Sequence, residues 1–103
     1  MIINENTFGI KDFDNPIYIW NIADLSKDEK IVLYNLVILA MLGVEGWNTP
    51  TIISSVCNVE NYWGVEGVLE DLTNKGYLRI SFGKFWLTQK FDNTIIELVK
   101  QQQ

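Results

Sequence analysis

A change of hydrophobic period at Gly76 restricts what this 103-residue chain can fold into more than any other feature. Before it, Val65, Val68, Leu69 and Leu72 recur at spacings of three and four and so line one stripe of a helix. This predicts a helix over 61–75, with Asn61 as N-cap and Gly76 as the positive-φ residue that ends it. After Gly76 the period drops to two. Leu78, Ile80 and Phe82 alternate with Arg79 and Ser81, Gly83-Lys84 fits a type II′ turn, and Phe85-Trp86-Leu87 returns. A hairpin over 77–88 is predicted, pairing Phe82 with Phe85 and Ile80 with Leu87 on an apolar face, with Ser81 and Trp86 on the other.

Upstream, Ser26-Lys27-Asp28-Glu29 is a capping box: the Ser hydroxyl accepts from the N3 amide and the Glu side chain reaches back to the Ser26 amide. It opens a helix expected over 26–42 and closed by Gly43. The body of that helix, Ile31 to Leu42, has Asn35 as its single polar residue, so it must be covered all round. A central core helix, wrapped by the N-terminal arm and the C-terminal helix, is the favoured reading; half of a dimer interface is the alternative. Thr49-Pro50 starts a second helix over 50–57 in the preferred order of cap and N1 proline, and Asn58 is expected to end it in the left-handed region. Pro16 precedes Ile17-Tyr18-Ile19-Trp20-Asn21-Ile22, a β-branched and aromatic run with both faces largely apolar, expected to form a strand covered on both sides. Residues 1–15 read as an arm with one short strand. A last helix over 93–100 is expected after a cap at Asp92 or Asn93, with a frayed Gln101-Gln102-Gln103 tail.

An apolar share of 48% with 13 aromatic residues is enough for the core of one domain, here 1–103. A lone cysteine, Cys57, cannot make an internal disulfide and reads as a small buried apolar group, and no basic segment leads into an apolar one at the N-terminus. A cytoplasmic location is expected. The apolar run in the first helix is about twelve residues, short of the roughly twenty that span a bilayer. With no histidine, Cys/His cluster, phosphate loop or nucleophile elbow, neither an enzyme nor a bound cofactor or metal is expected.

Leu25-Ser26, Glu29-Lys30-Ile31-Val32-Leu33, Trp47-Asn48-Thr49-Pro50, Val65, Leu69, Leu72 and Lys75-Gly76-Tyr77-Leu78 together resemble the winged helix-turn-helix domains of bacterial, phage and plasmid regulators and replication initiators. The resemblance spans Leu25 to Thr88, and the Phe13-Asp14-Asn15-Pro16 lead-in is similar to phage replisome organisers. It implies an α+β, mainly α fold: an N-terminal strand, three core helices, a β-hairpin wing and a C-terminal helix. It also implies duplex DNA as ligand, with the third helix in the major groove and the wing on the backbone or minor groove. Two departures bear on the angle of that helix: the turn before it is one residue longer than usual, and Glu60 stands where Ser or Thr is common.

Charge divides the chain. Up to Leu72 there are three bases against eleven acids, and from Thr73 onward five against two. The third helix carries Glu66, Glu70 and Asp71 and no base, which opposes contact with phosphates, whereas Thr73 to Phe91 holds Lys75, Arg79, Lys84 and Lys90 without an acid. DNA binding, the leading expectation, would place Asn61 and Tyr62 near base edges and Lys75, Arg79, Lys84 and Lys90 on phosphates, with a homodimer through the first and last helices adding affinity. Close behind is a protein-interaction module anchored by Trp63 and Trp86, Arg79 stacking beside the latter.

Overall fold

A computed structural model of the chain describes residues 15–101. Their order is a 3₁₀ helix η1 (Asn15–Asn21), then α1 (Lys27–Met41), α2 (Pro50–Val56), α3 (Gly64–Asn74), β1 (Leu78–Ser81), β2 (Lys84–Leu87) and α4 (Gln89–Gln101). The described residues are mainly helical, with one two-stranded antiparallel sheet among them. The expected arm, with its short strand, lies outside the described residues, as do the last two glutamines.

The stretch expected as an N-terminal strand is helical instead. Pro16, Ile19, Ile22 and Leu25, each three apart, are buried, while Ile17 and Trp20 between them are exposed. Side chains three apart eclipse in a 3₁₀ helix, so the run has three faces where a strand has two. The Ile22 amide donates to the Ile19 carbonyl at 3.2 Å, and among the described residues the sheet contains only β1 and β2.

α1 has both halves of its capping box: the Glu29 amide donates to Ser26 Oγ at 3.2 Å and the Ser26 amide to Glu29 Oε1 at 2.7 Å. From Asp28 to Met41 no residue of the helix is fully exposed. η1, α2 and α3 pack on it, while α4 lies against η1. Asn35, its polar residue, donates to the Ile31 carbonyl one turn back. The helix closes at Gly43, φ +69°, where the Val44 amide reaches the Leu39 carbonyl and the Gly43 amide reaches that of Ala40. Thr49 caps α2, accepting from the Ile52 amide. That helix ends in an extended Cys57, φ −108°, and Asn58 does not take the left-handed conformation expected of it.

α3 begins three residues later than its stripe predicted, and Asn61 is not its cap. The Asn61 side chain accepts from the Trp63 amide at 2.7 Å in a turn ahead of the helix, and Gly64, φ +69°, stops the helix from extending backward. Val65, Val68, Leu69 and Leu72 are buried as the stripe requires. The end is as expected: the Tyr77 amide bonds the Leu72 carbonyl and the Gly76 amide that of Thr73, with Gly76 at φ +88°.

The hairpin turns one residue earlier than expected. Its loop is Phe82-Gly83, both at positive φ, which marks a type I′ turn; the register pairs Ser81 with Lys84, Ile80 with Phe85, Arg79 with Trp86 and Leu78 with Leu87. Phe82 therefore leaves the inner face for the tip. Moving the turn by one residue shifts the pairing by two, an even step, so Ser81 and Trp86 keep the outer face. On the far side of β2 the Phe85 amide donates to the Asn48 carbonyl at 2.9 Å, tying the loop before α2 to the ribbon. α4 starts at Gln89, four residues before its expected start. Thr88 initiates it, its carbonyl accepting from Asp92 and its hydroxyl from the Phe91 amide, so Asp92 is a first-turn residue.

Candidate interaction surface

Four cations were expected to gather between Thr73 and Phe91, but the fold engages two of them, Lys75 and Lys90, in contacts within the chain. Lys75 leaves the end of α3 with its ammonium 2.7 Å from Glu29 Oε1 and 2.5 Å from the Asp24 carbonyl. Glu29 is 4% exposed. Burial alone would raise its pKa, but the Lys75 ammonium and the Ser26 amide outweigh burial and hold it below the ordinary carboxylate value. Beside this pair the Tyr77 hydroxyl donates to Asp24 Oδ1 at 2.7 Å, and burial together with that bond pushes the phenol up to about 12. Lys90 sits 4.5 Å above the Tyr77 ring and donates to the Lys75 carbonyl at the end of α3. These residues clasp the loop before α1 to the end of α3 and the start of α4.

Arg79 and Lys84 remain, both exposed on the outer face of the hairpin and without an ion pair among the described residues. With Ser81, Phe82 and Trp86 they line a shallow hollow that, among the described residues, contains no acid. Trp86 is half-buried, its ring perpendicular to that of Trp47 at 6.0 Å, and Arg79 is its cross-strand neighbour. Phe82, at the tip, is 102% exposed and holds φ +53°, a conformation that strains a bulky side chain.

The inner side of the hairpin faces a groove against α3. Glu66 and Glu70 form one wall, Ile80 the other, and Pro50 and Phe85 contribute apolar surface. No cation lines it. Both carboxylates are exposed and unpaired among the described residues, and Ile80 is 57% exposed.

A second apolar feature stands at the start of α3. Tyr62 and Trp63 are 89% and 76% exposed and meet edge to face at 4.9 Å. Gly67 makes room for them, since a Cβ there would lie 2.5 Å from that of Trp63 and 3.0 Å from Asn61 Oδ1. The turn behind is held by Asp28, whose carboxylate accepts from the Glu60 amide at 3.1 Å. Asn61 is half-buried and occupied in its turn. Cys57 is half-buried, with a thiol raised to about 11 by burial.

Of the expected DNA-contacting residues, the fold thus leaves Tyr62, Arg79 and Lys84 free and places Lys75 and Lys90 in an internal clasp. Of the expected anchors, Trp63 is open and Trp86 is half covered. Phe82 was missed because the turn was set one residue late; Gly83 as the second residue of an X-Gly loop was the available signal. No described helix is long and apolar enough to cross a membrane. Comparison with known proteins finds no matching family model, no matching curated protein and no matching solved structure.

Proposed function

We propose that the chain is a winged helix-turn-helix domain that serves as a non-enzymatic, cytoplasmic protein-interaction module of a bacterial or mobile-element regulator. The order α1, α2, α3 and hairpin supports the scaffold, as does the bond from Phe85 to Asn48, which joins the segment before α2 to the ribbon. The observation that carries the functional reading is the groove between α3 and the hairpin. On this scaffold a duplex would lie along the third helix and the wing, yet here Glu66 and Glu70 line that space with apolar neighbours and, among the described residues, no cation. Phosphates would be repelled, since duplex affinity rests on neutralising them. A protein segment with an apolar stripe and cationic side chains has the complementary chemistry. Tyr62, Trp63 and Phe82 add exposed aromatic surface of the kind that anchors protein contacts.

A second reading, duplex binding by the wing, draws support from Arg79 and Lys84, which stand unpaired on a face without acids. Titration with duplex DNA at low ionic strength separates the two. The module reading expects no saturable binding, and an amphipathic peptide with lysines four apart should perturb the amides of Glu66, Glu70, Ile80 and Phe85. Duplex binding that weakens steeply as salt rises, and flattens in its salt slope when Arg79 and Lys84 are neutralised, would replace the module by a DNA reader.

A further inference from the structure

We infer that the acidic groove of one molecule receives the hairpin of a second copy of this chain; the inference rests on the reading of that groove as a protein-binding site. The two surfaces complement each other on three counts. The groove presents Glu66 and Glu70, one helical turn apart and so about 6 Å from each other. The outer face of the hairpin presents Arg79 and Lys84 on facing strands, two register positions apart and about 7 Å from each other. Beyond these charges the hairpin ends in Phe82, and the groove offers Ile80, Phe85 and Pro50 as apolar surface.

The pairing also accounts for the tip residue. A type I′ turn favours Asn, Asp or Gly at both central positions, so a phenylalanine at φ +53° and fully in solvent is unfavourable in an isolated molecule. Inserted into a neighbour it removes about 150–250 Å² of aromatic surface from water. One side chain and two ion pairs make a small contact, and the net charge of −5 opposes the approach of two copies. The association is therefore weak and grows with concentration.

Charge reversal with rescue tests it. Glu66→Lys/Glu70→Lys and Arg79→Glu/Lys84→Glu are prepared separately, checked for folding by circular dichroism, and compared with the parent by sedimentation velocity from micromolar to millimolar concentration. The parent should show a mass average that rises with concentration. Each reversed variant should self-associate at least about tenfold more weakly, a change of about 1.4 kcal/mol, and an equimolar mixture of the two should recover the association. Phe82→Ser should weaken it likewise, and Glu97→Lys, on the exposed side of α4, should leave it unchanged. A parent that is monomeric throughout, or self-association indifferent to both reversals, overturns the inference. In either case, if the lysine-bearing peptide still perturbs Glu66 and Glu70, the groove remains a protein site with a different occupant; if duplex binds there instead, the parent reading falls as well.

Discussion

Lys75 and Lys84 lie nine positions apart in a stretch without acids, yet the fold treats them as opposites. At the clasp, Lys75 meets Glu29 and the Asp24 carbonyl, and Lys90 completes the end of α3. On the hairpin, Arg79 and Lys84 have no ion pair among the described residues, and neither have Glu66 and Glu70 across the ribbon. A net charge along the chain therefore overstates the free cationic surface, because Lys75 and Lys90 of the basic stretch between Thr73 and Phe91 are already engaged within the chain. What a charge does is decided by whether an opposite charge is buried within its reach.

The largest expected effect attacks that contrast directly. Lys75→Met leaves Glu29 buried without its cation, and should cost about 2–4 kcal/mol in urea unfolding, reduced from a fully buried pair because the lysine side chain is 37% exposed. Lys84→Met on the hairpin should move the midpoint by less than about 0.5 kcal/mol. Equal costs would erase the distinction between the two regions.

Next comes Asp92, 8% exposed, with Oδ1 lacking a hydrogen-bond partner. Burial pushes its carboxyl from 3.8 up to about 6. A folded pKa above the unfolded one means that the ionised form opposes folding: the penalty is full above about pH 6 and gone below the unfolded value. Stability should therefore rise as pH falls from 7 toward 5. Asp92→Asn should gain about 1–2 kcal/mol at pH 7 and flatten that rise. Glu29 runs the other way: its folded pKa is lowered, so its contribution is present above 4.5 and is lost as pH falls further. Urea unfolding across the acid range should show a maximum between the two windows.

Two smaller effects concern the exposed aromatics. Gly67→Ala puts a Cβ 2.5 Å from that of Trp63, so it should cost about 1–2 kcal/mol and shift Trp63 emission as the turn moves. Phe82→Asn supplies a residue suited to positive φ and should stabilise by about 0.5–1 kcal/mol in thermal unfolding. A loss of stability there would mean that the phenylalanine ring supports its own fold.

The sequence disclosed the elements whose signals are local. Ser26 and Glu29 cap each other across three residues, Gly43 and Gly76 end helices by their own backbone conformation, and the α3 stripe is buried as its spacing implied. Reading failed where two local solutions compete. Phe82-Gly83 and Gly83-Lys84 both satisfy a two-residue turn rule that demands glycine, and only the packed structure selects the first. The run from Pro16 to Leu25 has apolar residues on a period of three, which looks like a strand when every face is apolar. At the surface, the acidic face of α3 was legible from composition. The engagement of Lys75 and Lys90 in contacts within the chain was not, because Glu29 is 46 residues from Lys75 and nothing in either neighbourhood marks the pairing.

That long-range clasp sets where the domain can be cut. A fragment excised from Thr49 to Thr88 would retain both helices of the turn and the complete ribbon, yet it would strand an ammonium and a phenol whose counterparts sit on Asp24 and Glu29. Grafting or truncation schemes must therefore carry the segment ahead of α1, which makes the smallest transferable unit considerably longer than its recognisable motif.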